Sequence, residues 1–280
     1  MTKAATVDLR RLTRRPTMLY DAYLFDLDGT IYLGSELLPG ARELIEALQR
    51  AGKRTIFLSN NPTKDPPMYV EKLGGLGISV DIDDIVNTVV STVLWLQNNY
   101  PGATVFPVAD EPLVRALREA GFRISDDPAE IDVVIASYDH GFDYRKLQIV
   151  FDTLWFHRRA ILIKTNPDRF CPFPGGRGEP DTAGIVAAIE ATTGVTCHAN
   201  MGKPDRIMID TVRRRLGTES SSVVMVGDRL ATDIQMGIVA GIDSALVLTG
   251  DSTLADVEAE SEENWPTYVL DRVDWLLPES

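Results

Sequence analysis

Leu24-Phe25-Asp26-Leu27-Asp28-Gly29-Thr30 brings an apolar strand to its end in two carboxylates one residue apart, with a glycine turn directly after. In extended chain, residues i and i+2 point to the same side. This reading crowds Asp26 and Asp28 into one small space at a strand end. Carboxylates that close raise each other's pKa unless a cation or hydrogen-bond donors compensate. The spacing therefore suits a divalent metal, an acid/base pair, or both. Two plainer readings compete with it. Asp and Gly favour turns, and Asp-x-Asp-Gly also opens a calcium loop. That loop requires a Glu at its twelfth position; counted from Asp26 the position holds Leu37, so the calcium reading fails. A turn and a reactive pair both stay open on this stretch alone.

The chain has 280 residues, which suits one large domain or two modest ones. An apolar share of 44% is enough to build a buried core. No apolar run reaches the roughly 20 residues needed to cross a bilayer. The basic stretch from Arg10 to Arg15 is not followed by an apolar segment of signal-peptide type, and a solvated tail is expected there rather than a transit peptide. Acidic residues outnumber basic ones, 41 to 28, for a formal charge of -13. Such a balance argues against charge-driven binding to nucleic acid. It also repels anionic substrates, so a phosphate site has to be built locally from a metal, a lysine and backbone N–H groups. The two cysteines, Cys171 and Cys197, offer neither a disulfide framework nor zinc-ligand spacing. A reduced, cytoplasmic protein without membrane attachment is expected.

Strand-like and helix-like segments alternate along the chain. Tyr23–Asp26 and Thr55–Leu58 read as buried strands, with a helix over Ala41–Ala51 between them that Gly52 closes. A second helix starts at Tyr69–Leu73 and is expected to stop at Gly74-Gly75. Val223–Val226 and Ala245–Leu248 are strands of the C-terminal part. In the middle, Thr104–Val108, Val133–Ala136 and Ile161–Lys164 read as strands, and Leu113–Ala120, Tyr144–Phe156 and Ala183–Thr192 as helices, punctuated by Gly141, Gly175, Gly176 and Gly178. This grammar predicts an α/β protein with a Rossmann-like parallel sheet core, interrupted by an inserted α/β cap domain. The expected bounds are 1–86 and 199–280 for the core and 87–198 for the cap.

Three core strands end in polar groups. The first gives Asp26 and Asp28, the second Ser59 and Asn60, and a later one Asp228, followed by Thr232 and Asp233 near a helix start. In open parallel sheets ligands bind beyond the carboxyl ends of the strands, so these groups are expected to converge. Gly202-Lys203-Pro204 precedes a helical pattern and adds a cation. Because Pro suits a first helical turn, Lys203 is expected at a helix N-terminus, where anions are favoured. Each piece alone has an ordinary reading: Ser59 as a cap, Lys203 as a surface lysine, Asp233 as a complement to the helix dipole. The ordered combination at strand ends is what gives them a common purpose.

Asp26-Leu27-Asp28-Gly29-Thr30, Ser59-Asn60-Asn61, Gly202-Lys203-Pro204 and Gly227-Asp228-Arg229-Leu230-Ala231-Thr232-Asp233 resemble the four ordered motifs of the haloacid dehalogenase superfamily. The chain is similar to its NagD-like, p-nitrophenylphosphatase-type branch (subclass IIA), which carries a large α/β cap between the second and third motifs. Tyr138-Asp139, Thr165-Asn166-Pro167-Asp168 and Val247-Leu248-Thr249-Gly250 extend the likeness over nearly the whole chain. The resemblance implies that Asp26 attacks phosphorus and that Asp28 protonates the leaving alcohol and later activates water. It implies Mg2+ held by Asp26, the main-chain carbonyl of Asp28, and Asp228, with Asp233 keeping the ion's surroundings in order. Ser59, Asn60, Asn61 and Lys203 would hold the transferring oxygens. Candidate specificity residues in the cap are Tyr138, Asp139, His140, Asn166, Asp168, Arg169 and Cys171, with Asn166 and Asp168 foremost.

The function implied is Mg2+-dependent hydrolysis of a small phosphorylated metabolite, with sugar phosphates as the favoured class. Phosphoryl transfer to another acceptor, as in a mutase, is the alternative enzyme, and a non-catalytic phosphate-binding regulatory module is the alternative from another class. The expected partners are the small metabolite and a second copy docked through the cap, with no nucleic acid and no membrane.

Overall fold

A computed structural model of the chain describes residues 11–173, 177–217 and 222–279; Arg10, Gly175 and Gly176 lie outside the described residues. Strand β1 (Ala22–Asp26) is followed by the short pair β2 (Tyr32–Leu33) and β3 (Glu36–Leu37), helix α1 (Ala41–Arg50), strand β4 (Arg54–Ser59) and helix α2 (Pro66–Gly75). Next come β5 (Ile85–Asn87), α3 (Thr88–Asn99), β6 (Thr104–Val108), α4 (Glu111–Glu119), β7 (Arg123–Ile124), β8 (Val133–Ala136) and α5 (Tyr144–Phe151). Strand β9 (Ile161–Lys164), the hairpin β10 (Phe170–Phe173) and β11 (Arg177–Pro180), helix α6 (Thr182–Thr193), β12 (Ala199–Asn200) and α7 (Arg206–Leu216) lead to β13 (Val223–Gly227). The chain closes with α8 (Gln235–Ala240), β14 (Asp243–Val247), α9 (Leu254–Ala259) and β15 (Tyr268–Leu270). Among the described residues no helix is long and apolar enough to cross a membrane.

The chain forms two compact units. One comprises residues 1–58, 73–80 and 215–280, the other residues 59–72 and 81–214. In the first unit the strands stand in the order β15-β14-β13-β1-β4, all parallel. The strand order reverses at β1: the chain leaves it for β4 on one side and returns as β13 on the other. Such a switch point is where open parallel sheets form their ligand crevice. The register is tight there. Asp26 lies opposite Leu58, and Phe25 opposite Val226, so β1, β4 and β13 end at one level. These strands are apolar along their length because both faces are covered; Tyr23, Phe25 and Phe57 are fully buried and stack in a row, with centroids 5.8 and 6.0 Å apart. Burial pushes the Tyr23 phenol up to about 12.

The second unit carries its own parallel sheet, in the order β12-β9-β8-β6-β7. Alternation along its strands divides the core in two. Val105, Val133, Ile135 and Ile163 face one cluster, with Val89 and Leu96 of α3 and Leu113 and Leu117 of α4. Phe106, Val134, Ala136 and Leu162 face the other, with Val150 of α5 and Ile185, Val186 and Ile189 of α6. The pairing Val105↔Val133 and Ile163↔Ile135 keeps like faces together; a one-residue slip would turn each set to the wrong side.

Helix ends show where local signals decided and where they did not. Helix α1 ends in a Schellman turn: the N–H of Lys53 donates to Leu48 O at 2.9 Å and that of Gly52 to Gln49 O at 3.0 Å, with Gly52 at φ +65. Helix α2 begins earlier than its apolar spacing predicts, because Asp65 accepts from the Met68 N–H at 3.2 Å and Pro66 opens the first turn; it also runs through Gly74 and Gly75 rather than stopping at them. The helix expected over Tyr144–Phe156 is α-helical only to Phe151 and widens into a π-turn over Asp152–His157. There the Thr153 hydroxyl donates to Ile149 O at 2.8 Å, competing for a ladder acceptor.

Gly40, at φ +84 before α1, has no room for a Cβ, which would overlap the Asp274 carboxylate. Gly52 shares the positive φ but faces open space. We expect Gly52→Ala to cost about 1 kcal/mol and Gly40→Ala to cost at least about 2 kcal/mol, measured by urea unfolding. Equal losses at the two positions would show that the Asp274 contact contributes nothing.

Candidate active site

The first unit gathers its carboxylates at the sheet's switch point. Ligand oxygens of Asp26, Asp228 and Asp233 all lie within 4.8 Å of one another. Asp228 is 3% exposed and Asp233 fully buried, while Asp26 is half-buried. Their places follow from the chain: Asp26 is the last residue of β1, Asp228 follows the last residue of β13, and Asp233 lies in the π-turn Leu230–Ile234 that precedes α8. Backbone donors hold them. Asp228 Oδ2 accepts from the Asp251 N–H at 2.8 Å and Asp233 Oδ2 from the Arg229 N–H at 3.1 Å. The Ser252 N–H donates to Asp228 O at 3.0 Å, and the Ser252 hydroxyl accepts from the Leu230 N–H at 3.2 Å. The Thr249 hydroxyl donates to Gly29 O at 2.6 Å.

Glycine makes the space. A Cβ on Gly29 would come 2.5 Å from Asp228 Oδ2; one on Gly250 would overlap the same carboxylate, and one on Gly227 would overlap Asp233. Asp28 departs from the expected arrangement. Strand β1 stops at Asp26, so the alternation that would align the two side chains ends there; Asp28 sits in the following turn, bridged to Tyr32, exposed, and outside the carboxylate cluster. A cluster of oxygen donors, two of them in low dielectric, requires neutralisation by protons or a cation, and its all-oxygen chemistry suits a hard divalent ion.

The second unit holds Asn60, Asn166, Asp168 and Lys203 in one polar network, and the neighbouring Ser59 and Asn61 in another around Tyr69. The Asn60 side chain clamps the Lys203 backbone from both ends: its Oδ1 accepts from the Lys203 N–H at 2.7 Å and its Nδ2 donates to Lys203 O at 3.2 Å. The same Nδ2 donates to Asp168 Oδ2 at 3.0 Å. Asn60 O accepts from Asn166 Nδ2 at 3.0 Å and from the Thr88 hydroxyl at 3.1 Å. Asn166 in turn caps its own loop, its Oδ1 accepting from the Asp168 N–H at 2.9 Å. Ser59 Oγ lies 2.8 Å from the Tyr69 hydroxyl and accepts from the Asn61 N–H at 3.1 Å. Gly202 is required here too, since a Cβ would meet Asn60 Oδ1 at 2.7 Å and Thr165 O at 2.8 Å. Lys203 is 2% exposed, not a surface lysine. Nor is it at a helix N-terminus as its neighbouring proline suggested. Helix α7 starts at Arg206, with Asp205 as its cap through the Ile207 N–H at 3.0 Å, and Lys203 belongs to the turn before it.

The remaining specificity candidates divide. Tyr138 and His140 stack at 4.8 Å and share Glu179 of β11, the Tyr138 hydroxyl donating at 2.5 Å and His140 Nε2 lying 3.1 Å away. His140 Nδ1 is 2.6 Å from Asp110. Hydrogen bonding to Asp110, then to Glu179, raises the His140 pKa, while burial raises that of Tyr138. Asp139 is buried and paired to Lys146 at 2.5 Å. Arg169 is exposed and Cys171 is a partly buried cysteine outside any disulfide. Glu179, Asp110, Tyr69 and Thr88 are participants that sequence reading missed; none stands in a motif, and the one signal on offer was position, since Thr88 follows β5 directly and Asp110 lies two residues beyond β6. Asp181 is a further one, signalled only as a helix cap before an apolar run.

Residues 23–123 match the family model of haloacid dehalogenase-like hydrolases and residues 200–276 that of HAD-hydrolase-like proteins. The acid sugar phosphatase of Staphylococcus aureus is 37% identical over 250 residues, covering 89% of this chain and 93% of that protein. Among solved structures, the 4-nitrophenylphosphatase of Thermotoga maritima superposes with a TM-score of 0.85 at 32% identity, over 92% of this chain and 96% of that one. NagD from Escherichia coli K-12 gives 0.81 at 26% identity, over 92% and 98%.

A divalent cation added to the protein should raise Tm, the stabilisation reaching about 2.7 kcal/mol at a hundredfold excess over Kd. Gly250→Ala, by displacing Asp228, should remove most of that rise. Thermal unfolding with and without chelator reads both, and a Tm indifferent to cations would remove the three carboxylates as a cation site.

Proposed function

Because the chain belongs to the haloacid dehalogenase-like hydrolase family, we propose that it is a Mg2+-dependent phosphomonoesterase acting on a small phosphorylated metabolite, with sugar phosphates as the substrate class. The observation that carries this reading is the trio Asp26, Asp228 and Asp233 gathered at the switch point of a parallel sheet. The likeness to an acid sugar phosphatase supports the substrate class.

In this reading Asp26 is the nucleophile. Its carboxylate oxygen bonds to phosphorus as the phosphorus–oxygen bond to the leaving alcohol breaks, giving an aspartyl-phosphate. Asp28 delivers its proton to the departing oxygen, then takes one from the water that attacks the phosphorus and frees Asp26. Its exposed position beyond the strand end suits a group that must meet both a leaving group and water. The approaching phosphate dianion favours its protonated form. Asp26, the carbonyl of Asp28, and Asp228 would hold Mg2+, with Asp233 fixing their surroundings; the ion, when bound, neutralises the carboxylates and the phosphate charge. Ser59, Asn60, Asn61 and Lys203 bind the transferring oxygens, with Lys203 supplying the positive charge that the chain's overall -13 does not. Asp168 contacts the rest of the substrate and helps select it, while Asn166, fully buried, holds the loop that presents Asp168 rather than touching the substrate itself.

Release of phosphate from an aryl phosphate, with Mg2+ and with chelator, tests the reading directly; no turnover from folded protein under any divalent metal would leave only a binding role. Asp26→Asn should lower kcat by roughly four orders of magnitude or more with the Tm preserved, and a near-normal rate would remove Asp26 as nucleophile. Asp228→Ala should raise the Mg2+ concentration for half-maximal rate by roughly ten- to a hundredfold. An unchanged Mg2+ dependence would strike Asp228 from the ligand set.

A further inference from the structure

Asp181 is a carboxylate outside all four motifs, 5% exposed, at the start of α6. Its Oδ1 accepts from the Thr182 N–H at 2.5 Å, from the Thr182 hydroxyl at 2.9 Å and from Asn166 Nδ2 at 3.4 Å. Capping α6 needs only the first of these. A Ser or Thr would cap the helix without burying a charge, and burying a carboxylate is costly unless its hydrogen bonds are used. The third bond joins Asp181 to the polar network. Asn166 Nδ2 is shared between Asp181 and Asn60 O, and Asn60 holds both the N–H and the carbonyl of Lys203. The chain Asp181–Asn166–Asn60–Lys203 therefore runs continuously from a helix cap to the lysine, through amides that can each face only one way when their partners are set.

We propose that Asp181 is a positioning residue: through Asn166 it fixes the Asn60 amide that clamps the Lys203 backbone. The inference rests on the phosphatase reading for its consequence, not for its geometry. The bond from Asn166 to an ionised Asp181 is charge-assisted and stronger than to a neutral acid, so the network is best ordered when Asp181 is ionised. The titratable side chains that act on Asp181 are Asp168, in the loop after β9, and Tyr138, after β8. Burial, with a smaller contribution from the Asp168 charge, lifts Asp181 to about 6. A raised carboxyl means the folded chain keeps a proton that the unfolded chain releases between about pH 4 and about pH 6. Ordering of Lys203 thus improves as pH rises through about 6, while Asp181's contribution to global stability declines over the same window.

The test compares the full chain with Asp181→Asn and Asp181→Ala. Hydrolysis of p-nitrophenyl phosphate with Mg2+ is followed from about pH 4.5 to about pH 8, and the side-chain amide signals of Asn60 and Asn166 are followed by NMR over the same range. In the unsubstituted chain both amides should shift together with a midpoint near 6. In Asp181→Asn, which keeps an acceptor and the shape of the cap, both should become insensitive to pH, with kcat down about tenfold or more, KM little changed, and the rising limb near that midpoint lost. Asp181→Ala should lose more kcat and also Tm. Asn60 signals that stay still across the range in the unsubstituted chain, or an Asp181→Asn variant with unaltered kcat and pH profile, would overturn the proposal. If the unsubstituted chain hydrolyses nothing, the phosphatase reading fails, and the amide titration still decides whether Asp181 governs Asn60.

Discussion

Three carboxylates held within 4.8 Å of one another, two of them buried, repel, and the first unit is arranged around that repulsion. Parallel pairing of β1 with β4 and β13 brings the strand ends level, so Asp26 and Asp228 arrive side by side without any choice by the loops. Backbone N–H groups of Arg229 and Asp251 then bind two of the three carboxylates. Glycines at 29, 227 and 250 leave room for them where any side chain would collide. The sheet places two of the three, Asp26 at the end of β1 and Asp228 just after β13, and the π-turn Leu230–Ile234 brings the third, Asp233. A cation is the natural relief for such a cluster.

The second unit solves a different problem. It buries a lysine and grips its backbone: Asn60 binds both the N–H and the carbonyl of Lys203. Amides suit this work because each offers a donor and an acceptor with no net charge to desolvate. Asn60, Asn166 and the flanking Thr88 hydroxyl together satisfy one another's bonds, which gives the network one arrangement rather than several. Its single buried carboxylate, Asp181, is the member whose protonation can change that arrangement.

Much of the fold is legible residue by residue. The strands Thr104–Val108, Val133–Ala136 and Ile161–Lys164 are read to the residue, because uninterrupted apolar runs of that length have few other uses in a parallel sheet. Gly52 closes α1 by a mechanism visible in the sequence. Helix starts are less legible where a cap competes with an apolar pattern: Asp65 begins α2 ahead of its apolar face, and Asp205 begins α7 after Pro204 rather than at it. The widened turn after Phe151 is not legible at all, since it depends on which carbonyl the Thr153 hydroxyl reaches.

The sequence by itself determined the parallel α/β architecture and the polar residues at the strand ends, because apolar runs, glycine turns and short motifs act over a few neighbouring positions. Only the tertiary structure decided which of those residues meet. Asp28, two residues from Asp26, lies outside the carboxylate cluster, while Asp233, more than two hundred positions away, belongs to it. Asp181, Asn166, Asn60 and Lys203 share one network although no spacing links them. The reason is physical: a strand's end and a side chain's direction are set by register and packing against distant segments, and those leave no periodic trace in the order of the residues.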